Sequence, residues 1–305
     1  MAEIVGIGCA VFDMMLKLSR FPEEDEKFGA EESKVQCGGP CAVAMITAAK
    51  QGVSSAFMGK FGDDLYGIGA KSCLEKYGVD LSAVRIIEGG QTQVSIVLSN
   101  QSNGKRTCIV GSAAGPELQM SPEDVDFDLL QKAKYLHIDG KEYLPALYTA
   151  KKAREMGVKV SMDLDWFAVN HTDLIALADI LIPSENSAKI VAGTDDVYEA
   201  ARILQERFHP ETLVITMGPE GGIYMDGGEV KHYPAFPVQA IDSNGAGDVF
   251  HGAFLAAKLR GFSDYEASCH ASASSALKCM HFGASEGAPS WDAAEEFLAK
   301  RRAEK

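Results

Sequence analysis

Short apolar runs alternate with longer segments of helical spacing along most of the chain. Apolar runs bounded by turn residues are typical of buried strands, and amphipathic stretches between them are typical of helices. The predicted strands are residues 3–8, 55–58, 135–138, 159–162, 180–182 and 213–216. The predicted helices are residues 41–51, 66–77, 144–156, 174–178 and 197–207. This alternation predicts an α/β fold, a three-layer α/β/α sandwich with a mostly parallel central sheet, in a single domain over residues 1–305.

Two segments interrupt the alternation. Residues 11–36 combine strand-like pieces with an acidic loop, and residues 91–110 contain two apolar strands around Asn103-Gly104. An Asn-Gly pair between such strands favours a β-hairpin. These inserted segments could form a small β-sheet that projects from the main domain as a lid, or an edge extension of the main sheet.

The segment 242–248, with the sequence DSNGAGD, lies between a strand-like run at 238–241 and the start of a helical pattern. It is predicted to be a strand-to-helix turn. The first amides of a helix lack internal partners and carry the positive end of the helix dipole, and glycines let a ligand approach closely. The amides of Gly245, Ala246 and Gly247 are therefore predicted to hold an anion, such as a phosphate group.

Asp248 follows these amides directly. A carboxylate repels phosphate, but it is suited to taking a proton from an attacking hydroxyl group. An aspartate in the first turn of a helix is also a common cap, so the local sequence leaves both roles open. His251, on the same helix, is either a structural histidine or part of the wall of this site.

Composition limits the possible partners. The chain has 29 basic and 43 acidic residues, a formal charge of −14, which argues against a nucleic-acid partner. No run reaches the ~18 apolar residues of a membrane span, and the N-terminus lacks a basic leader. The seven cysteines are scattered, as in proteins with reduced thiols. The sequence therefore predicts a cytoplasmic protein that binds neither nucleic acid nor membrane.

Three ordered motifs resemble the signatures of the ribokinase-like (PfkB) carbohydrate kinases. DSNGAGD at 242–248 resembles the family's D-T-x-G-A-G-D motif. The glycine pair at 38–39, with GKFGDD at 59–64, resembles the first signature, and TMGPEGG at 216–222 resembles the nucleotide-site T-x-G-x-x-G. The resemblance extends over residues 3–290, and the C-terminal half is most similar to the sulfofructose kinase and ketohexokinase branches.

The resemblance implies an ATP-dependent, Mg²⁺-using kinase that transfers the γ-phosphate to a hydroxyl of a small sugar. Asp248 would be the general base, with the amides of Gly245, Ala246 and Gly247 as the anion hole. The implied nucleotide contacts are Thr216, Gly218, Gly221, Ala276, Cys279 and Gly283. The implied substrate contacts are Asp13, Gly38 and Gly39. The β-sheet lid would be the contact of a homodimer.

The chain departs from the family pattern at two motifs. Val43 stands where many members carry an asparagine that contacts a substrate hydroxyl. The family's N-x-x-E is replaced by residues 184–187, and Glu185 could supply the acid from a shifted position. Asp163 and Asp165 stand at the family's D-x-N, and they could help to hold Mg²⁺ through water.

A monovalent cation is a further implication of the resemblance. Asp242 and the carbonyl of Asn244 match positions at which many members bind such an ion. A K⁺ requirement therefore stays open.

Four charged residues outside the motifs are further candidates for contact with a ligand. Lys27, in the acidic loop, either reaches an anionic substrate group or is solvated. Asp139 and Lys141 follow the predicted strand at 135–138, at the strand end where ligands bind. Arg106, just past the hairpin turn, is expected to face solvent.

The acceptor is expected to be a ketose or a sugar derivative such as fructose, sulfofructose or a sugar acid. One alternative is a nucleoside kinase, for which the predicted lid offers only Phe12, Phe21 and Phe28 as stacking rings. The other is a sugar- or nucleotide-binding regulator that has lost activity. The sequence itself does not identify the sugar.

Overall fold

The computed structural model describes residues 1–102, 106–111, 118–166 and 168–303. Within these ranges the strands are β1 (Ile4–Ile7), β2 (Val11–Leu18), β3 (Glu32–Gly38), β4 (Ser55–Gly62), β5 (Val84–Ile87), β6 (Val94–Asn100), β7 (Arg106–Val110), β8 (Tyr135–Ile138), β9 (Lys159–Leu164), β10 (Ile180–Pro183), β11 (Thr212–Thr216), β12 (Gly222–Asp226) and β13 (Glu229–Tyr233). The helices are α1 (Pro40–Lys50), α2 (Leu65–Lys76), α3 (Phe127–Leu130), α4 (Tyr143–Glu155), α5 (Thr172–Ile175), α6 (Glu185–Ala192), α7 (Val197–Phe208), α8 (Ala246–Leu259), α9 (Asp264–Cys279), α10 (Ala284–Gly287) and α11 (Trp291–Ala303). The predicted turn at Asn103-Gly104 lies outside the described residues.

The large sheet has the strand order β13-β12-β11-β10-β9-β8-β1-β4-β5. The seven strands from β11 to β5 pair in parallel, whereas β12 and β13 extend one edge as an antiparallel hairpin. Parallel strands need crossover connections, which place helices on the faces of the sheet. The predicted α/β class with a mostly parallel sheet is confirmed.

Helices cover both faces of the large sheet, and each face has its own apolar core. On β1, Val5 and Ile7 pack into the core formed with α4, α6 and α7, whereas Ile4 packs into the core formed with α1, α2, α8 and α9. Because successive side chains of a strand point to opposite faces, an uninterrupted apolar run serves both cores. The result is the predicted three-layer sandwich.

A separate four-stranded sheet has the order β3-β2-β6-β7. It is built from the two segments that interrupt the alternation, so these form a sheet of their own and not an extension of the large one. β2 pairs in parallel with β6, and the outer pairs are antiparallel. Its inner face lies over the start of α8, and residues of both line one cavity.

The prediction of a strand at 238–241 is wrong. The structure has an extended loop from Pro234 to the start of α8, without strand pairing. Pro234 and Pro237 lack the N–H that a ladder needs, and the amide of Ile241 donates instead to the carbonyl of Cys279 at 2.8 Å. Among the helices that the structure describes, none is long and apolar enough to cross a bilayer.

Candidate active site

Two cavities meet at the start of α8. The polar chamber, of about 540 Å³, lies between the small sheet and the ends of β9 to β11. Its polar lining includes Asp13, Ser95, Arg106, Asp163, Asp165, Asp248 and His251. The apolar chamber, of about 520 Å³, lies between the turn after β11, the loop at 233–240 and α9. Thr216 and Gly247 line both chambers, so a group in one chamber can contact a group in the other.

The first turn of α8 presents open amides at this junction. Gly245 is the N-cap, with a φ of 78°, and a Cβ there would overlap the Cβ of Ala284. The N–H of Ala246 donates to the carbonyl of Ser243 at 3.3 Å. The N–H groups of Gly245, Gly247 and Asp248 find no acceptor among the described residues. A Cβ on Gly247 would project into empty space, which leaves a cradle of the kind that an anion can occupy.

Asp248 lies beside this cradle, and its side chain lines the polar chamber. Burial raises the pKa of Asp248 to about 7, the charge of Asp163 adds to the rise, and the charge of His251 opposes it. A carboxyl group with this pKa can accept a proton near neutral pH. Asp248 thus combines a position in the cavity wall with a pKa near neutral pH.

A buried ion pair lies beneath Asp248. The Nε2 atom of His251 is 3.1 Å from Oδ1 of Asp163. Burial opposes the ionisation of both groups, but their mutual attraction prevails: it raises the pKa of His251 and lowers that of Asp163. Burial and the nearby charge of Asp163 raise the pKa of Asp165. His251 thus offsets part of the charge of three neighbouring carboxyl groups.

The carboxyl groups of Asp163 and Asp165 fit a Mg²⁺ ion held through water. Mg²⁺ prefers carboxylate oxygens and keeps several waters. Oδ1 of Asp163 is engaged by His251, whereas Asp165 is half-buried and lines the chamber. Asp165 is therefore the more available of the two ligands.

The small sheet closes the other side of the polar chamber. Asp13 on β2 accepts a hydrogen bond from Oγ of Ser95 on β6, and burial raises its pKa to about 6. A Cβ on Gly38 would overlap the carboxylate of Asp13, and Gly39 has a φ of 96° close to the carbonyl of Cys9. The glycine pair thus gives Asp13 the room that it occupies. Val43 lines the same chamber with an apolar side chain.

Arg106 on β7 is exposed, as expected, but it lines the open side of the polar chamber. In the part of the chain that the structure describes, no group forms a hydrogen bond or ion pair with its guanidinium. The register places Arg106 opposite Ser99, on the same inner face of the sheet as Cys108 and Val110. The guanidinium of Arg106 is therefore a cationic group that a ligand in the polar chamber could contact.

Other predicted substrate residues lie outside the chamber. Lys27 is exposed in the loop between β2 and β3, at the end of the small sheet away from Gly38. Asp139 is fully buried, and its carboxylate accepts the amides of Cys9 at 2.6 Å and Lys141 at 3.0 Å. These bonds make Asp139 a support for two loops and not a wall of the chamber.

Lys141 lines a separate small cavity. Its Nζ atom bonds to Oε1 of Gln93 and lies 3.4 Å from Sγ of Cys9, which lines both this cavity and the polar chamber. Glu185 pairs with Lys189 at 2.6 Å on α6, and only its neighbour Ser184 lines the chamber.

Most of the predicted nucleotide residues line the apolar chamber, namely Thr216, Gly218, Gly221, Ala276 and Cys279. Gly221 has a φ of 84°, and a Cβ there would overlap the carbonyl of Tyr233. Gly283 is elsewhere, because its N–H donates to Oδ2 of Asp242 at 3.0 Å. The chamber wall also includes the loop at 235–240, which overlaps the predicted strand at 238–241.

The surroundings of Asp242 do not fit a monovalent cation. Its carboxylate accepts the amides of Gly283 and Asn244, each at 3.0 Å, and Oγ of Ser99 lies 3.4 Å away. The ammonium of Lys278 donates to the main-chain carbonyl of Asp242 at 2.6 Å and lies 3.6 Å from Oδ2. Donors of the chain itself occupy the oxygens of Asp242 that such an ion would need, and of the predicted ligands only the carbonyl of Asn244 is left without a hydrogen-bond donor among the described residues.

Sequence reasoning missed the Asp163–His251 pair and the inward direction of Arg106. His251 was singled out only for its position near Asp248, because a contact with β9 cannot be derived from spacing along α8. The alternation of side chains along β7 places Arg106 and Cys108 on the same face of the strand. Only the pairing of β7 with β6 shows that this face is the inner one.

Comparison with known proteins gives a consistent result over the whole chain. The family model described as "pfkB family carbohydrate kinase" matches residues 1–291. The chain is 30% identical over 304 residues, 99% of each protein, to the ATP-dependent ribose-1-phosphate kinase of Halopiger xanaduensis. It is 30% identical over 241 residues to the fructokinase of Klebsiella pneumoniae, covering 73% of this chain and 77% of that protein. The structure of Arabidopsis thaliana ribokinase with ribose and ATP matches with a TM-score of 0.82 and 25% identity, over 98% of this chain and 99% of that one.

Proposed function

The chain belongs to the pfkB family of carbohydrate kinases and is an ATP-dependent sugar kinase; from that premise we propose that Asp248 is its general base. ATP would occupy the apolar chamber and the sugar the polar chamber. The observation that carries the proposal is the position of Asp248, which lines the polar chamber beside Gly247, a residue common to both chambers.

The proposed reaction is an in-line transfer of the γ-phosphate. Asp248 takes the proton of a sugar hydroxyl, whose oxygen forms a bond to the γ-phosphorus. The bond from that phosphorus to the β–γ bridging oxygen breaks, and ADP leaves. The free N–H groups of Gly247 and Asp248, with the dipole of α8, stabilise the charge on the phosphoryl oxygens. Positioning of the two substrates supplies most of the remaining rate.

Mg²⁺ would be held through water by Asp165, with a smaller part for Asp163 because His251 already binds it. When bound, the ion neutralises charge on the nucleotide phosphates. The part of this chain is to place two carboxyl groups at the end of β9, facing the cradle of α8.

The Asp248→Asn variant tests the base. We expect it to fold and to lose at least about a hundredfold in turnover, since a positioned base contributes that much or more. The measurement is an ADP-coupled assay at saturating ATP over neutral sugars, sugar acids, sugar phosphates and nucleosides. Asp292→Asn, an equivalent change in the first turn of α11, should keep wild-type turnover. Near-normal turnover of Asp248→Asn at saturation would remove Asp248 from this role.

An anionic sugar derivative is the acceptor that Arg106 favours. Its guanidinium lines the polar chamber, where the other titratable groups among the described residues are Cys9, Asp13, Cys108, Asp163, Asp165, Asp248 and His251. An anionic group of the substrate near the small sheet would neutralise the positive charge of Arg106. A relative of 30% identity is named for a sugar phosphate, ribose 1-phosphate.

Arg106→Ala distinguishes the two acceptor classes. We expect KM for an anionic sugar to rise at least about tenfold, since a charge-assisted hydrogen bond contributes about 1.5–3 kcal/mol. KM for a neutral sugar should change little. Arg85→Ala, which removes an exposed arginine paired with Asp124, is the matched control. An equal rise of both KM values in Arg106→Ala would exclude selective recognition of an anion.

We also propose one kinase domain over 1–305 whose segments 11–36 and 91–110 act as a lid and as the contact of a homodimer. The outer face of the small sheet supports this, because Val35, Ile96 and Ile109 are exposed there. A cytoplasmic location agrees with the seven cysteines, all free thiols.

The nucleoside alternative has less support. Phe12, Phe21 and Phe28 do not line the polar chamber, although Trp166 does. The panel above includes nucleosides for this reason. Turnover with any acceptor would exclude the inactive regulator.

A further inference from the structure

Lys278 is a fully buried lysine near the end of α9, and its ammonium contacts the turn that leads into α8. Its Nζ atom donates to the carbonyl of Asp242 at 2.6 Å and lies 3.6 Å from Oδ2 of the same residue. The side chain has no exposed surface, and that of Asp242 is 1% exposed. A buried charge of this kind persists only where it is paired and hydrogen-bonded.

Asp242 connects three parts of the molecule. Its carboxylate accepts the amide of Asn244 in the turn, the amide of Gly283 after α9, and Oγ of Ser99 on the small sheet. Its own amide donates to the carbonyl of Cys279. The Lys278 ammonium thus binds the residue that fixes the turn before Gly245. Burial lowers the pKa of Lys278, and the charge of Asp242 opposes that shift.

We infer that Lys278 is a built-in cation, whose ammonium takes the place beside Asp242 that an external monovalent cation would fill. The lysine carries the same unit charge as K⁺ and contacts a carbonyl and a carboxylate, the oxygens that K⁺ binds. It is a positioning residue, since it acts through the 242–245 turn on the amides of Gly247 and Asp248. This role in turnover rests on the proposed function, whereas the cation site itself does not.

The wild-type protein is expected to be indifferent to the identity of the monovalent cation. Its Tm and its turnover should be the same in KCl, NaCl and choline chloride at equal ionic strength. A K⁺-specific rise in Tm or a severalfold activation by K⁺ over choline would overturn the inference. The Tm measurement needs no substrate, so it fails or succeeds independently of the proposed kinase reaction.

Lys278→Ala should convert the protein into one that binds a cation. The change empties the space of the side chain and leaves the carboxylate of Asp242 buried without its counter-charge. We expect turnover to fall at least about tenfold in choline chloride and to recover to within about threefold in KCl, a change of about 1.4 kcal/mol per tenfold. KCl should also raise the Tm of this variant, because an ion that binds only the folded state stabilises it.

Two further variants separate charge from volume. Lys278→Met fills the space without a charge, so it should lose turnover and gain nothing from K⁺. Lys258→Ala removes the partner of Asp264 at the other end of α8, 2.7 Å away, and should show no dependence on the cation. If K⁺ neither stabilises nor reactivates Lys278→Ala, the ammonium does not stand in for a cation. If Lys278→Ala does not fold, the comparison of the wild-type Tm in KCl, NaCl and choline chloride still tests whether an external cation binds.

Discussion

Asp248 is a carboxyl group whose surroundings oppose its ionisation. Burial and the charge of Asp163 raise its pKa from 3.8 to about 7. Because the folded state then holds this proton more tightly than the unfolded state, the group lowers the stability of the fold as the pH rises through that interval. The same shift places a proton acceptor near neutral pH. In the proposed role as base, Asp248 would therefore gain a pKa near neutral pH at some cost in the stability of the fold, a common property of active sites.

His251 is predicted to set where that base titrates. Its positive charge, held by Asp163, lowers the pKa of Asp248. In His251→Gln this charge is absent, so the pKa of Asp248 should rise and the acidic limb of the kcat profile should move to higher pH. A unit charge at this range predicts a move of about one pH unit. The measurement is kcat at saturating substrates between pH 5 and pH 9.

The control for this prediction is His209→Asn, at an exposed position with a φ of 51° that asparagine tolerates. It should leave the profile unchanged. If the acidic limb of His251→Gln coincides with that of the wild type, His251 has no electrostatic effect on the base.

At the scale of elements, α8 begins with two glycines, Gly245 and Gly247, although glycine does not favour a helix. Gly245 is required by its positive φ and by the contact with Ala284, whereas Gly247 has ordinary helical surroundings and open space where a Cβ would lie. Glycine within a helix costs about 0.5–1 kcal/mol relative to alanine. A glycine that packing does not require, at the junction of two cavities, indicates a backbone kept bare for a ligand.

Gly247→Ala and Gly245→Ala should therefore have opposite effects on the Tm. Gly247→Ala should keep or slightly raise the Tm, because alanine favours the helix, and turnover should fall at least about tenfold because the methyl group enters the cradle. Gly245→Ala should lower the Tm through backbone strain and the overlap with Ala284. Calorimetry and the coupled assay measure both effects. A fully active Gly247→Ala would show that the phosphoryl group does not approach this amide.

The apolar runs at 135–138 and 238–241 show which elements the sequence could predict and which it could not. The strand at 135–138 was predicted with its observed bounds, since a parallel strand buried on both faces is a short apolar run between turns. The run at 238–241 is equally apolar, but it lines the apolar chamber, and apolar character alone does not distinguish a cavity wall from a core strand. The pairs His251–Asp163 and Lys278–Asp242 depend on how distant elements pack, so no local pattern predicts them.

At the scale of the whole molecule, the small sheet has two different faces. The inner face carries Asp13 and Ser95 toward the polar chamber. The outer face carries an apolar row in register across neighbouring strands, from Val35 through Met14 and Ile96 to Ile109. A sheet with an exposed apolar row is typical of an interface, and a second copy of this chain would present the same row.

Ile109→Lys should dissociate the proposed homodimer. Ile109 is 53% exposed, so a lysine there costs the monomer little, whereas a lysine buried in the apolar contact of each copy would weaken the dimer at least about tenfold. The matched control is Ile190→Lys on α6, a side chain 54% exposed and away from the small sheet. Sedimentation equilibrium over a range of concentrations should give a dimer for the wild type and for Ile190→Lys, and mostly monomer for Ile109→Lys. A wild-type protein that stays monomeric throughout, or an Ile109→Lys dimer of unchanged affinity, would exclude this face as the contact, and the apolar row would then serve the lid alone.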